Sequence, residues 1–231
     1  MSGCVGENEM VWWIGKDELS PIMRSLAILA AAAALTLLAA AAPARYPGTY
    51  SAEDAAKLDK LSAYLNSVHT LKGNFVQLSP EGDLAQGEFD LAKPGKLRFA
   101  YNPPSPILIV ATGGDIYVKN SRLNTVDRNA LSDTPLDILL NRDVDLRHNP
   151  AVTGVEEQPG QLIVHARANT TRNQSNITLV FAYPAIELRQ WVVKDNQGGT
   201  TTVALTGVQT GVAVPDSVFA VPTKDPIAKK N

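Results

Sequence analysis

Few residues of this sequence have the types and spacing that catalysis or metal binding requires. His69, His148 and His165 are scattered, without the short repeats typical of zinc ligands, so we expect no metal site. Asp143 and Asp145 could act as paired carboxylates, but a solvated loop is the simpler interpretation. The sequence contains no G-x-S-x-G elbow, P-loop or G-x-G-x-x-G pattern. We therefore expect a protein that is not an enzyme and has no cofactor.

Apolar side chains at alternate positions are the dominant pattern. The stretch KLRFAY (96–101) places Leu97, Phe99 and Tyr101 on one side of a predicted strand, and the stretch that follows the double proline, 107–110, is apolar at every residue. Turn residues punctuate the chain every eight to twelve positions, which is typical of an antiparallel sandwich or barrel. The pattern predicts strands over 73–78, 87–92, 96–101, 107–111, 115–119, 123–127, 161–168, 176–181, 187–194 and 200–208.

Two amphipathic segments interrupt the strands. Ser51 to Asp54 resembles a capping box, and apolar residues follow it at spacings of three and four, which predicts a helix. The second segment, 132–146, offers Asp133 or Thr134 as a helix cap and Pro135 in the first turn. The apolar residues of the two segments are Leu58, Leu61, Leu65 and Val68 in the first, and Leu136, Leu139 and Leu140 in the second.

The N-terminal region has the pattern of a targeting signal. A basic residue at 24 precedes an apolar run that ends in Ala42-Pro43-Ala44, so residues 23–44 are predicted to be a secretory signal peptide, with cleavage giving an N-terminal Arg45. A transmembrane anchor is the alternative. Residues 1–22 carry acidic side chains where a signal peptide is basic, and we interpret them as a non-native upstream extension. Residues 45–231 are expected to form a single domain.

The cysteine content and the charge balance limit the chemistry and the kinds of partner that we expect. The only cysteine, Cys4, precedes the predicted cleavage site, so no disulfide or thiol chemistry is expected. Of 21 basic and 23 acidic residues, two basic and four acidic ones lie before residue 45, which leaves 19 of each sign. This neutral balance argues against nucleic acid as a partner.

The inward apolar surface of the predicted sheet has two interpretations. The helices fill it completely and make an ordinary core, or they cover it incompletely and leave room for an apolar guest. Composition and spacing do not separate these alternatives.

The stretch LKGNFVQLSPEGDLAQGEFDLAKPGKLRFAYNPPSPILIVATGGDIYVKN (71–120) resembles the periplasmic outer-membrane lipoprotein carrier family of the LolA type. TPLDILL (134–140), ITLVF (177–181), IELRQWVVKDNQGGTTTVAL (186–205) and PDSVFAVP (215–222) match it in the same order. The resemblance implies a mainly β fold of the α+β kind, an incomplete antiparallel β-barrel closed by a lid of short helices around an apolar cavity.

The resemblance also implies a function. The protein would be a monomer in the periplasm of a Gram-negative bacterium that takes outer-membrane-directed lipoproteins from an inner-membrane ABC transporter to an outer-membrane acceptor of unknown identity. The lid would contain Leu58, Leu61, Leu65, Leu136, Leu139 and Leu140. The cavity wall would contain Phe75, Leu97, Phe99, Tyr101, Ile107, Ile109, Leu162, Val164, Ile177, Leu179, Phe181 and Trp191.

Lys93, just before Pro94, stands where the family pattern often has arginine. The resemblance implies that this side chain is a latch that donates hydrogen bonds to carbonyls of the lid. Lysine lacks the planar fork of arginine, which puts the strength of closure in doubt, and a solvated turn lysine is the alternative. A second function stays open: a periplasmic lipid or lipoprotein sensor of the same fold that regulates a partner.

Overall fold

The structure is a computed structural model that describes residues 50–134, 136–167 and 175–224. The predicted extension and signal peptide lie outside the described residues, as does Pro135. The described residues form two α-helices, α1 (Ala52–Ser67) and α2 (Asp137–Leu140), and eleven strands. The strands are β1 (Thr70–Leu78), β2 (Leu84–Ala92), β3 (Lys96–Tyr101), β4 (Ile107–Thr112), β5 (Asp115–Asn120), β6 (Thr125–Ala130), β7 (Val152–Gln158), β8 (Gln161–Arg167), β9 (Asn176–Ala182), β10 (Glu187–Lys194) and β11 (Thr200–Thr210).

All eleven strands belong to one antiparallel sheet in the order β6-β5-β4-β3-β2-β1-β11-β10-β9-β8-β7. Every pair except β1–β11 joins strands that are consecutive in the chain, so two meanders meet where the first strand pairs with the last. The turns at 79–83, 102–106, 121–124 and 195–199 therefore share one end of the sheet, here called the upper end. The turns at 93–95, 113–114, 159–160 and 183–186 share the lower end.

The sheet curves around its apolar face. The rings of Phe99 on β3 and Trp191 on β10 lie 5.9 Å apart between centroids, although three strands separate β3 from β10. In a flat sheet these strands would be roughly 19 Å apart, at about 4.8 Å per strand. The curvature brings the two halves of the inner face into contact and confirms the predicted mainly β, antiparallel fold with helices packed on it.

Helix α1 begins as its sequence predicts. The Ser51 hydroxyl accepts a hydrogen bond from the Asp54 N–H at 3.0 Å, which satisfies one of the free donors of the first turn. Leu58, Leu61 and Leu65 follow at helical spacing and are buried in the same cluster as the inner face of the sheet. Burial of each leucine contributes about 1.5–3 kcal/mol, so the stripe fixes which face of α1 meets the sheet.

Two local features differ from what the sequence predicts. Thr134 does not cap α2, because its hydroxyl donates instead to the Leu131 carbonyl at 2.8 Å and closes a 3-10 turn over Leu131–Asp133. The residue before α2 is Leu136, which makes no side-chain cap. Strand β7 was not predicted, because it is an edge strand with a bulge near Gly154 and polar residues at its end, and it lacks the apolar alternation of its neighbours.

Gly87 on β2 makes room for an aromatic cluster. It lies opposite Phe75 on one side and Tyr101 on the other, and these two rings approach to 4.9 Å between centroids. A Cβ at Gly87 would overlap the Ala100 carbonyl oxygen and lie 2.6 Å from Phe75 Cε1. The absence of a side chain at Gly87 is therefore a packing requirement.

We expect Gly87→Ala to lower the free energy of unfolding by about 1–3 kcal/mol through overpacking. Gly154→Ala is the matched control, since a Cβ there meets nothing within 4 Å, and its effect should stay within about 0.5 kcal/mol. Urea unfolding measures both. An equal stability of the two variants would show that the backbone at Gly87 yields without cost.

Candidate functional site

An apolar groove opens on the inner face of the sheet and extends toward its upper end. Its volume is about 250 Å³, and its lining contains no Asp, Glu, Lys or Arg. The lining residues are Gln77, Phe99, Tyr101, Ile109, Ile116, Thr134, Leu136, Trp191, Val193, Thr201 and Val203. Such a groove offers apolar surface to a guest and does not offer the charged groups that an ionic ligand requires.

A small enclosed void lies nearer the lower end, beneath α2. Its volume is about 20 Å³, and its lining is entirely apolar. Leu136 and Trp191 line both the void and the groove and so stand between them. The void is lined by Leu71, Phe89, Leu91, Leu97, Leu136, Leu139, Leu140, Leu188, Trp191 and Leu205. The leucines of α2 thus fill space that would otherwise continue the groove.

Trp191 reaches the inner face through a β-bulge. The pairing of β10 with β9 shifts register between Leu188 and Gln190, so Leu188 and Trp191 both point inward although three positions separate them. Arg189, in the bulge, is exposed and pairs with Glu187 at 2.9 Å. Arg189 is thus exposed, whereas Trp191 belongs to the core cluster.

The turn at 93–95 contacts the ends of both helices. Lys93 Nζ donates to the Leu65 carbonyl in the last turn of α1 at 2.9 Å, and the Gly95 N–H donates to the Leu140 carbonyl at the end of α2 at 2.9 Å. The last carbonyls of a helix lack partners within it and carry partial negative charge, so a lysine there is favourable. Helix α1 has no basic residue of its own in its last turn, and Lys93 supplies that charge from the sheet.

Burial lowers the pKa of Lys93. The side chain is half-buried, and desolvation of the ammonium lowers its pKa from 10.5 to about 8. The lysine is therefore not a freely solvated turn residue in this conformation.

Helix α1 is fixed to the sheet by side chains outside its apolar stripe. The Tyr64 hydroxyl accepts a hydrogen bond from the Leu188 N–H at 3.1 Å, which ties the helix to the start of β10. Lys57 pairs with Glu157 on β7 at 3.2 Å. These contacts hold α1 at two separate points of the sheet.

The segment that follows α2 is bound to α1 by polar contacts. The Asn66 side chain donates to the Val144 carbonyl at 2.9 Å and accepts from the Val144 N–H at 2.8 Å. The Ser62 hydroxyl accepts from the Leu146 N–H at 3.0 Å. This segment is therefore docked on α1 rather than on α2.

Only some of the predicted wall residues line the groove or the void. Phe99, Tyr101, Ile109 and Trp191 line the groove, and Leu97 and Trp191 line the void. Phe75 packs edge-on against Phe99 and Tyr101, while Ile107 is half-buried and outside the core cluster. The remaining wall residues, Leu162, Val164, Ile177, Leu179 and Phe181, line neither space and are almost fully buried in the core cluster that includes α1.

The predicted lid residues lie on both helices as expected from their spacing. Leu58, Leu61 and Leu65 of α1 are buried, as are Leu139 and Leu140 of α2, whereas Leu136 is half-buried at the groove.

Several lining residues were missed by sequence reasoning. Phe89 and Leu91 alternate on β2, and Val203 and Leu205 alternate on β11, so the period of two would have found them. Gln77 shares the parity of Phe75 on β1, and a polar residue at an inward position was the available signal for it. The polar contacts of Ser62, Tyr64 and Asn66 had no signal in the local pattern, because their partners are more than 70 residues away.

Comparison with known protein families assigns the chain to one of them. A sequence model of the family described as outer membrane lipoprotein carrier protein LolA matches residues 66–222, more than half of the chain. The chain belongs to the LolA family. The match includes the turn at 93–95, α2 and all eleven strands, while most of α1 precedes it. The family predicted from the sequence resemblance is confirmed.

Two relatives found by sequence have names that agree with this assignment. The chain is 28% identical to an outer-membrane lipoprotein carrier protein of Cupriavidus taiwanensis over 204 residues, covering 81% of this chain and 89% of the relative. It is 25% identical to one from Cupriavidus pinatubonensis over 214 residues, covering 85% and 94%. Among solved structures, a LolA superfamily protein from Nitrosomonas europaea is similar with a TM-score of 0.42 and 10% identity, covering 71% of this chain and 97% of that one.

Two features are absent from residues 50–134, 136–167 and 175–224. Within these ranges no helix combines the length and the apolar character needed to cross a membrane. The same residues contain no group of three or more His, Cys, Asp or Glu placed to hold a metal ion.

The lowered pKa of Lys93 predicts a pH dependence. The folded-state pKa is about 8 and the ordinary value is 10.5, so between these pH values the unfolded chain binds more protons at this site. Stability relative to Lys93→Met should therefore rise as the pH increases from 8 toward 10.5, with a slope of at most about 1.4 kcal/mol per pH unit. Urea unfolding of both proteins at pH 7, 8, 9 and 10 measures the difference. A difference that falls or stays constant would show that Lys93 is not desolvated.

Proposed function

We propose that this protein is a periplasmic carrier that binds the acyl chains of lipoproteins on its inner face and transfers lipoproteins from the inner to the outer membrane. The observation that carries the proposal is the uncharged apolar groove that α2 separates from a void lined only by apolar side chains. Its relatives bear the name outer-membrane lipoprotein carrier protein, which names a cargo with long apolar chains. Its partners would be an inner-membrane ABC transporter that supplies lipoproteins and an acceptor at the outer membrane.

The groove as it stands is too small for this cargo. Pockets that enclose even drug-sized ligands have volumes of about 300–1,000 Å³, and the groove has about 250 Å³. Displacement of α2 would join the groove to the space now filled by Leu136, Leu139 and Leu140. In this proposal the conformation described here is a closed form, and α2 is the movable part of the lid.

Loading is then an exchange of apolar surfaces. An acyl chain of about a dozen methylenes gains about 10 kcal/mol on leaving water, at about 0.8 kcal/mol per methylene. Re-exposure of the three leucines of the α2 segment costs about 5–9 kcal/mol, at about 1.5–3 kcal/mol each. Because the two terms are of similar size, cargo is held and can still be released.

The polar contacts are distributed in a way that suits this exchange. Among the described residues, α1 and the segment after α2 are bound by several side-chain hydrogen bonds, whereas the four residues of α2 are joined to the turn at 93–95 by the Gly95 N–H alone. Lys93 ties the same turn to α1 through the Leu65 carbonyl and so fixes the position of the Gly95 N–H that holds α2. In this proposal Lys93 is the latch of the closed form.

A carboxylate in the groove should prevent loading. Ile109→Asp places a charge on the wall at a position that is only partly buried, so the fold should tolerate it, while binding of acyl chains should weaken at least tenfold. Leu84→Asp makes the same change at a side chain that is 70% exposed and outside the groove, and it should bind as the parent does. Binding is measured with a purified diacylated lipoprotein after circular dichroism has shown that both variants are folded. Parental binding by folded Ile109→Asp would contradict the proposed cavity wall.

Removal of the latch should separate loading from release. Lys93→Leu loses the bond to Leu65, so the closed form is less stable and the loaded form is favoured about tenfold or more, the effect of one hydrogen bond from a charged group. Cargo should be accepted from inner-membrane vesicles and released poorly to outer-membrane acceptors. Lys93→Arg should strengthen closure and hasten release, because the guanidinium brings additional donors.

The measurement is a transfer assay in which loading and unloading are followed separately. Lys119→Asp, also a change of one lysine but outside the groove, serves as the control. Equal unloading by the parent and Lys93→Leu would exclude the latch and leave the carrier function intact.

A further inference from the structure

One hydrogen-bonded polar pair lies in the groove, whose other lining residues are apolar except Thr134 and Thr201. Tyr101 on β3 donates its hydroxyl hydrogen to Gln77 Oε1 on β1 at 2.7 Å, across the intervening strand β2. At this level β2 offers only Ala85, opposite Gln77, and Gly87, opposite Tyr101. The small residues leave the space above β2 through which the two side chains meet.

The bond fixes the direction of the Gln77 amide. Burial raises the pKa of Tyr101 to about 12, so its hydroxyl stays protonated and available as a donor. Because the hydroxyl donates to Oε1, the two N–H donors of the amide nitrogen take no part in this bond. Gln77 lines the groove, and within the described part of the chain its amide makes one side-chain hydrogen bond, to Tyr101.

The pair lies at the upper end of the groove. Gln77 is the penultimate residue of β1 and Tyr101 the last of β3. Thr201 lines the same end, two positions along β11 from Val203, the residue opposite Gln77. Phe99 lies two positions below Tyr101 on β3 with Ile109 opposite it, and Trp191 lies opposite Val203 on β10. A guest in this groove meets a neutral donor at its outer end and apolar surface below.

We propose that Gln77 Nε2 donates a hydrogen bond to the carbonyl oxygen of the ester or amide that attaches an acyl chain to the cargo, with Tyr101 as the positioning residue. The inference rests on the proposed carrier function. It adds to that function the chemical group of the cargo that binds at the groove entrance. A neutral carbonyl fits because the lining holds no Lys or Arg to balance a phosphate or a carboxylate. The acyl chain then continues past Trp191 toward the void beneath α2.

The test compares two lipopeptides that differ only in this carbonyl. One carries an S-(2,3-diacyloxypropyl)cysteine with ester-linked chains, the other the dialkyl ether with chains of the same length, and each has a fluorophore at its C-terminus. Anisotropy titration gives the dissociation constants. The parent should bind the ester form about three- to tenfold more tightly, the range for one neutral hydrogen bond, since an ether oxygen is the weaker acceptor.

Three variants identify the donor. Gln77→Met keeps the length of the side chain and removes the amide, so the two lipopeptides should bind within twofold of each other. Gln86→Met makes the same change on the exposed outer face of β2 and should keep the parental ratio. Tyr101→Phe should lower the ratio of ester to ether binding, because the amide is present but no longer oriented.

The outcomes separate the two proposals. Equal binding of ester and ether by the parent, or a parental ratio in Gln77→Met, overturns the carbonyl site and leaves the carrier function standing. Failure of the parent to bind either lipopeptide overturns the carrier function itself.

Discussion

The burial of the apolar inner face is the constraint on which the rest of this structure depends. A curved antiparallel sheet with apolar residues on its inner face cannot leave that face in water, where each exposed leucine costs about 1.5–3 kcal/mol. The leucines of α1 and α2 provide the cover and belong to the same core cluster as the strands beneath them. Because the cover consists of two separate helices, one part of the inner face lies under α1 and another part lies under α2.

The two helices are held by different physical means. Helix α1 has sixteen residues, a side-chain cap and polar contacts to β7 and β10, so moving it would expose a large apolar surface and break several hydrogen bonds. Helix α2 has four residues and no side-chain cap, and its leucines line a void of about 20 Å³. Displacement of α2 is the less costly change, which agrees with a guest that enters from the groove beside it.

The turn at 93–95 connects these two parts. Through Lys93 it contacts the last turn of α1, and through Gly95 it contacts the end of α2, so one short turn of the sheet satisfies carbonyls at both helix ends. Lys93 is half-buried there, and desolvation weakens the charged form that would make the strongest bond. In the proposed carrier function, this cost of desolvation would weaken Lys93 as a latch of the closed form.

The sequence by itself determined the mainly β fold, ten of the strands, the helical stripe of Leu58, Leu61 and Leu65, and the family, because periodicity and turn residues are local signals. It did not reveal β7, whose edge position lets polar residues replace the alternating pattern. The tertiary structure alone decided which apolar residues face open space. Leu162 and Phe99 look alike as inward residues of a strand, yet one is fully buried in the core and the other lines the groove. The reason is that burial depends on what lies opposite a residue, and in this fold the opposite residue belongs to a distant part of the chain.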